Sequence, residues 1–293
     1  MANKRVQNSA VAFSQAASLL RRAGLVFCET AIVDSEQAAT TAASKTGFPV
    51  FLKVVSAPAG SAAVHKAKEG LVAKVDNAAS LAAAYGKLAL LHSKLAAKKL
   101  IEKKPYVAVQ KEISGVECII GAKVDPSFGP VIVFGSGGVH AEELGDVALR
   151  LCPVSMAEAT GMIKETRLHK RLLELKNSGQ ATQKLAAAVV KAANFIVNSP
   201  QVAELDINPI IIDEAGEAVA VDVRAVAFAG GGRKATANKR SSRKLDVAGF
   251  FNPQSVALLG ASRSIDSVGQ SILRNLTIGC VHRCEYCRPF LGK

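Results

Sequence analysis

The segment DPSFGPVIVFGSGGVHAEELGDVALRLCP, residues 125–153, decides how this chain is read. It opens as a turn over 125–129, continues as a short apolar strand over 130–134, and enters the glycine loop Gly135-Ser136-Gly137-Gly138. Glycine lets a backbone come close to a ligand, and successive N–H groups in such a loop can form an anion cradle. Glu142, Glu143, Asp146 and Arg150 follow within one short span. A strand that runs into glycines, acids and a base suits the phosphates of a nucleotide and their metal. A hairpin with a flexible turn is the plainer alternative, and the flanking chain has to choose.

The chain has 293 residues, enough for one large domain or two modest ones. It is 49% apolar, lacks tryptophan and is rich in alanine, an ordinary α/β composition. No apolar run approaches the ~20 residues of a membrane span, which excludes an integral membrane protein. The formal charge of +13 invites a nucleic-acid reading, but the excess is local. Six basic residues against one acid fall in 230–246, a linker composition, and six more in 87–104, on the wet face of a helix. Neither cluster is interleaved with the aromatics that stack on single strands, so an anionic small ligand or a solvated linker is favoured over nucleic acid. No secretory signal is present, and the expected compartment is the reducing cytosol. The basic, serine-bearing N-terminus has the flavour of a transit peptide, although residues 13–23 already form the first helix of the domain. Cys28, Cys118 and Cys152 sit singly in apolar segments and read as buried thiols.

Taken in order, residues 13–23 predict an amphipathic helix stopped by Gly24, and 30–33 a strand. A helix capped by Asp34 or Ser35 follows and ends at Gly47. Residues 49–55, PVFLKVV, read as a buried strand whose single charge, Lys53, marks either an edge or an anion ligand. A loop over 56–64 leads to His65-Lys66, a strand over 70–75 and a long helix over 77–99. Strands over 107–113 and 116–124 bracket Ser114-Gly115 and are expected to pair as a hairpin. Helices over 155–164 and 181–197 and strands over 202–206, 210–212 and 218–223 complete this unit. Past the linker, residues 252–260, NPQSVALLG, predict a strand entering a glycine turn, with a helix over 270–276, the start of a Rossmann-type βα unit.

Together, GFPVFLKVVS, VQKEISGVECIIGAKVDPSFGPVIVFGSGG, DVALRLCP and AELDINPIIIDEAGEAVAVDVR resemble the ATP-grasp domain of the NDP-forming acyl-CoA synthetases. FNPQSVALLGASRSIDSVGQSILRNL resembles the opening of the CoA-binding domain of the same enzymes. The resemblance implies an α/β architecture, an α+β ATP-grasp domain of two lobes over 13–229. A basic linker (230–246), an incomplete Rossmann-like fragment (247–279) and a cysteine-rich tail (280–293) would follow. It implies ATP or ADP with Mg²⁺ as ligands. Lys53 would reach the nucleotide phosphates, the backbone around Val109, Gln110 and Lys111 would pair the adenine edge, and Glu117 would lie near the ribose. Gly135, Gly137 and Gly138 would approach the phosphates, Asn208 and Asp222 would hold magnesium, and Arg150 would neutralise the transferring phosphate or pair with Asp146 or Glu143. The family's reaction converts acyl-CoA, ADP and phosphate to free acid, CoA and ATP by way of phosphohistidine. CoA would bind only through a completed or partner domain, and a CoA-binding, phosphohistidine-bearing chain or domain is the implied partner.

Departures from the family pattern bear on catalysis. His65 matches its histidine, but the aspartate three residues on is Lys68 and the second glycine is Leu71. KRLLELKNSG (170–179) stands where an arginine-glycine turn is usual, and His140 replaces an aromatic or apolar residue. These changes leave room for a non-catalytic ligand-sensing module of a protein acyltransferase, or for an inactive product. Cys280, Cys284 and Cys287 have the spacing of a radical S-adenosylmethionine cluster site, and with His282 of a zinc site. The preferred expectation is a frameshifted or truncated end, since the shifted frame allows the family's normal continuation.

Overall fold

In the computed structural model the described residues are 9–55, 71–103, 106–137, 145–229, 232, 258 and 267–279. The chain divides into two compact units, Met1–Thr236 and Ala237–Lys293.

The first unit runs β1 (Ser9–Ala10), α1 (Phe13–Arg22), β2 (Val26–Phe27), β3 (Thr30–Val33), α2 (Glu36–Thr46), β4 (Val50–Val54), β5 (Val72–Val75) and α3 (Ala78–Ala97). It continues with β6 (Val107–Lys111), β7 (Gly115–Asp125), β8 (Gly129–Ser136), β9 (Val147–Leu151), α4 (Met156–Glu165) and α5 (Leu168–Leu173). α6 (Ser178–Asn198), β10 (Val202–Asp213), β11 (Ala218–Ala220) and β12 (Val223–Ala227) close it. The helices start where cap chemistry predicts. Ser35 accepts from Ala38 N at 3.3 Å, and Asn77 from Ser80 N at 3.1 Å. Ser155 and Glu158 form a reciprocal capping box on α4.

Two sheets result. The smaller has the order β3-β6-β4-β5, and the larger runs β1-β12-β10-β7-β8-β9, with β11 joining β10 to β2. In the small sheet Val50, Leu52, Val54, Val107 and Val109 pack with Leu81, Tyr85 and Leu88 of α3 and Ala39 and Ala43 of α2. The alternate residues face away from that core. Of these, Val55 and Ala108 join the core of the large sheet, where Phe13 and Leu20 of α1 and a buried stripe of α6 also pack.

Several expectations change. The segments 107–113 and 116–124 do not form a hairpin: β6 pairs β3 and β4, whereas β7 pairs β8 and β10. Residues 112–114 are instead the crossing between the sheets. Gly115 is required there because a Cβ would lie 1.9 Å from Ile212 O. β4 is an interior strand, so Lys53 is no edge residue. The strands expected over 202–206 and 210–212 are one strand, β10, with a register shift at the cis peptide Asn208-Pro209. β9 and α5 were not expected. β9 is short with a mixed pattern, and α5 is held by Asp146, which accepts from Arg167 N at 2.8 Å.

In the second unit, α7 (Val268–Gly279) contains the predicted helix. The predicted strand over 252–260 lies outside the described residues apart from Leu258, and so do the linker apart from Gly232, and the tail with Cys280, Cys284 and Cys287. Among the described residues no helix is long and apolar enough to cross a membrane.

Two outcomes test this packing. Gly115→Ala is expected to lower stability by about 1–3 kcal/mol through overpacking, while Gly161→Ala, in α4 with open space around it, is expected to gain up to about 1 kcal/mol. Equal melting shifts for the two would refute the close approach at Gly115. His92 on α3 is 2% exposed, and burial holds its imidazole below the usual range although a bond with the Glu102 backbone opposes the shift. The folded protein therefore takes up this proton later than the unfolded chain does. Stability should fall as pH drops from the ordinary histidine value of about 6.5 towards the depressed one. In His92→Leu that part of the pH slope should vanish from the urea midpoint, and a parallel slope would sink the assignment.

Candidate functional site

The site lies where the outward face of the small sheet meets the helix-free face of the large one. Strand alternation places Phe51 and Lys53 of β4 and Gln110 of β6 on that outward face, with Thr30 of β3 beside Gln110. Lys53 is 7% exposed and Gln110 is fully buried. The Gln110 amide Nε2 donates to Thr30 Oγ1 at 2.9 Å and to Val221 O, in the turn between β11 and β12, at 3.0 Å. Thr30 Oγ1 in turn donates to Cys28 O at 3.0 Å. The Gln110 Oε1 acceptor is buried with no partner. Lys53 and Asp222 both act electrostatically on the Cys28 thiol, so the two sheets bring a cation and an acid to one place. Burial dominates at that thiol and pushes its pKa up, keeping it neutral.

On the large sheet the side chains fall into cross-strand rows. Nearest the crossing, Glu117 of β7 lies opposite Ile211 of β10. In the next row Asn208 and Asp222 face each other: Asn208 N donates to Asp222 O at 3.2 Å, and Val221 N to Pro209 O at 3.0 Å. Ile119 and Gly135 continue this row across β7 and β8. One row further, Asp206 is paired with Arg224 on one side and Gly121 on the other. The intervening Ile207 and Val223 are buried on the helix face. Asn208 is exposed and Asp222 half-buried, with one carboxyl oxygen accepting from Val223 N at 2.9 Å.

The predicted residues divide accordingly. Lys53, Gln110, Asp222 and, beside it, Asn208 come together at the meeting of the sheets, and Glu117 stands opposite Ile211 in the neighbouring row. Val109 and Gln110 have ladder partners on both β3 and β4, and Val109 points into the small-sheet core. Lys111 has a partner on β4 alone and Glu112 N donates to Pro49 O at 3.1 Å, which moves the backbone available to a ligand to Lys111. Gly135 and Gly137 serve close approach. A Cβ at Gly135 would lie 2.7 Å from Asp146 O, and one at Gly137 2.8 Å from Cys118 N. Gly137 N donates to Glu117 O at 3.0 Å, tying the loop entry to β7.

Arg150 does not reach the site. It shares the helix-covered face with its partner Ile132, pairs with Glu165 of α4, and donates to Leu149 O at 2.7 Å. Among the described residues its ion pair is with Glu165 and not with Asp146, and Glu143 lies outside them. Asp146 instead accepts from Ser136 Oγ and Arg167 N, a structural role. His65, Gly138, His140, Glu142 and Glu143 lie outside the described residues.

Asp206, Arg224 and Thr30 belong to this region and were not singled out by sequence, and Cys28, expected as a buried thiol, belongs to it too. The alternation D-x-N in ELDIN and D-x-R in AVDVR is the signal that places Asp206 with Asn208 and Arg224 with Asp222. Cys118 is 0% exposed on the opposite face, and burial pushes its thiol up to about 12. Two surface clefts of about 560 Å³ lie elsewhere, one lined by Glu29, Ala38 and Lys45 and the other by Met156, Thr160 and Lys164. They are grooves beside helices and contain none of the convergent charges.

Comparison with known proteins places the fold in a family. Residues 3–226 match the family model described as an ATP-grasp domain. The chain is 32% identical over 259 residues to the ADP-forming acetate–CoA ligase II of Archaeoglobus fulgidus, covering 88% of this chain and 34% of that protein. It therefore spans about a third of the length of that relative. It is 27% identical over 223 residues to the beta subunit of the ADP-forming acetate–CoA ligase I of Pyrococcus furiosus, covering 76% of this chain and 94% of the subunit. Among solved structures it resembles the dinucleotide-forming acetyl-coenzyme A synthetase 1 of Ca. Korarchaeum cryptofilum in complex with coenzyme A, Ca-AMPCP and HgCl+. The TM-score is 0.65 at 27% identity, over 75% of this chain and 94% of that one.

The Gln110 bridge is open to a direct check. Gln110→Glu keeps the shape but turns a donor facing Val221 O into an acceptor, in a buried place that disfavours the charged form. The folded-state pKa of the new carboxyl is raised, so the lost stability should be largest at pH 8 and recover towards pH 5. A pH-independent loss would mean that Gln110 does not bridge the sheets.

Proposed function

The chain belongs to the ATP-grasp family, and from that premise we propose that its first unit binds a magnesium nucleotide between the two sheets, as the nucleotide half of an ADP-forming acyl-CoA ligase. The observation that carries this reading is the direct opposition of Asn208 and Asp222 on one face, with buried Lys53 brought to the same region by the small sheet.

The donor set fits magnesium. The cation prefers hard oxygens, takes few from protein and leaves the rest to phosphate and water. An amide and a carboxylate on adjacent strands, with Asp206 one row away, meet that description. Among the described residues no three His, Cys, Asp or Glu side chains gather, which suits a metal that arrives with its nucleotide. Bound there, the metal would neutralise phosphate charge. Lys53, a compact cation on a rigid interior strand, binds the phosphates from the other side. The backbone at Lys111 meets the base, and Glu117, exposed in the row nearest the crossing, meets the ribose.

In the whole reaction acyl-CoA, ADP and phosphate give free acid, CoA and ATP, with phosphate carried on histidine. A CoA-binding, phosphohistidine-bearing chain or domain supplies the other half. That a separate beta subunit is among the relatives supports such a division. His65 is the histidine of this chain that would exchange phosphate with the nucleotide.

Calorimetry with ADP and ATP, with and without Mg²⁺, tests the reading. The wild type should bind in a magnesium-dependent manner, and the double variant Asn208→Ala/Asp222→Ala should bind roughly 10–100-fold more weakly while remaining folded. A folded wild type that binds neither nucleotide, or a double variant with unchanged affinity, would overturn it.

A further inference from the structure

The site holds a second cation that the nucleotide reading leaves unused. Arg224 stands two residues beyond Asp222 on the same face, directly opposite Asp206. Its Nε is buried and has no hydrogen-bond partner, and the Glu204 carboxylate lies 3.9 Å from its Nη1. Buried polar groups are nearly always paired, and guanidinium donors most of all, so an unpaired Nε beside a loose ion pair needs a physical reason.

The rows give one. Counted from the crossing at Gly115, which pairs with Asp213, the order is Glu117 and Ile211, then Asn208 and Asp222, then Asp206 and Arg224. Each step is two residues of strand, about 7 Å. A nucleotide whose base lies at the crossing and whose phosphates reach the Asn208–Asp222 row points its terminal phosphate at the third row. Space exists there because the β7 member of that row is Gly121. A Cβ built on it would meet only Leu205 O and Val133 Cβ, each at 3.9 Å. The planar fork of arginine suits a terminal phosphate, which offers several oxygens to it.

We propose that Arg224 holds the terminal phosphoryl group of a nucleoside triphosphate bound at this site, one row beyond the magnesium ligands. The inference rests on the nucleotide reading given above. It gives the two cations different roles. Lys53 serves phosphates common to the di- and triphosphate, and Arg224 serves the phosphate that only the triphosphate has.

The test compares Mg-ATP and Mg-ADP affinities by calorimetry for the wild type, Arg224→Gln and Arg224→Lys, with ADP titrations repeated in inorganic phosphate. Arg224→Gln should lose about tenfold or more in ATP affinity with ADP affinity nearly unchanged, and Arg224→Lys should fall between. Retained ADP binding shows that the variants fold. A tightening of ADP binding by inorganic phosphate that disappears in Arg224→Gln would support the same group with free phosphate as occupant. An unchanged ATP-to-ADP ratio, or a parallel loss of both, would overturn the proposal and leave Arg224 a structural ion-pair residue. A wild type that binds neither nucleotide would fail earlier, at the nucleotide reading itself.

Discussion

The site depends on one buried amide. Gln110 belongs to the small sheet, yet its donor is used by a carbonyl of the large one, Val221 O. A carbonyl can only accept, so the amide orientation at this contact is set by chemistry. Gln110 lies one row from Lys53 on the adjacent strand, and Val221 precedes Asp222 in the chain. A single hydrogen bond of 3.0 Å therefore ties the lysine-bearing strand pair to the acid-bearing turn. The apolar contacts of Val55 and Ala108 with the large-sheet core supply the area of this junction, but such contacts are non-directional. The amide supplies the register.

The opposition of Asn208 and Asp222 has its own cause. β10 exchanges partners in mid-course, pairing β12 through Ile207 and β11 from Ile210 onward. Proline cannot donate to a ladder and is tolerated at such an irregularity. Pro209 sits there, accepts from Val221 N through its carbonyl, and leaves Asn208 exposed on the open face. Before the irregularity, ordinary pleating continues the row pattern to Asp206 and Arg224. The row of Asn208 and Asp222 and the row beyond it are thus consequences of one local break in a long strand.

Much of this was legible in the sequence. Helix starts followed cap chemistry at Ser35, Asn77 and Ser155, and the apolar run around Lys53 is the buried strand its composition predicts. What misled was topology. Two strands separated by Ser114-Gly115 look like a hairpin, because local turn chemistry does not reveal that the chain is crossing between sheets. The reason for Gly115 is the carbonyl of Ile212, nearly a hundred residues later, which no local pattern contains. Arg150 failed as a site residue for the same kind of reason. Its neighbours in sequence suggested phosphate, but strand alternation turned it towards α4 and Glu165. Asp206 and Arg224 were readable in principle, since each lies two residues from a predicted magnesium ligand on a strand.

The charge of the site also explains why acids and cations must coexist there. The chain carries +13 overall, and the open face around Asn208 mixes signs: Glu204 stands opposite Lys123 and near Arg224, Asp206 opposite Arg224, and Asp222 beside Asn208. A bare phosphate chain beside Asp206 and Asp222 would be opposed by these two acids, because like charges in a partly buried site are screened weakly. Burial keeps Cys28 neutral, so the thiol adds no further negative charge beside Lys53. In the proposed complex a divalent cation between these acids and the phosphates would reverse the sign of the contact, and Arg224 at the far row would extend that reversal past the metal. On the proposed reading, a preference for a metal-loaded nucleotide over the bare anion would follow from the placement of Asp206 and Asp222 beside Asn208, before any further contact is counted.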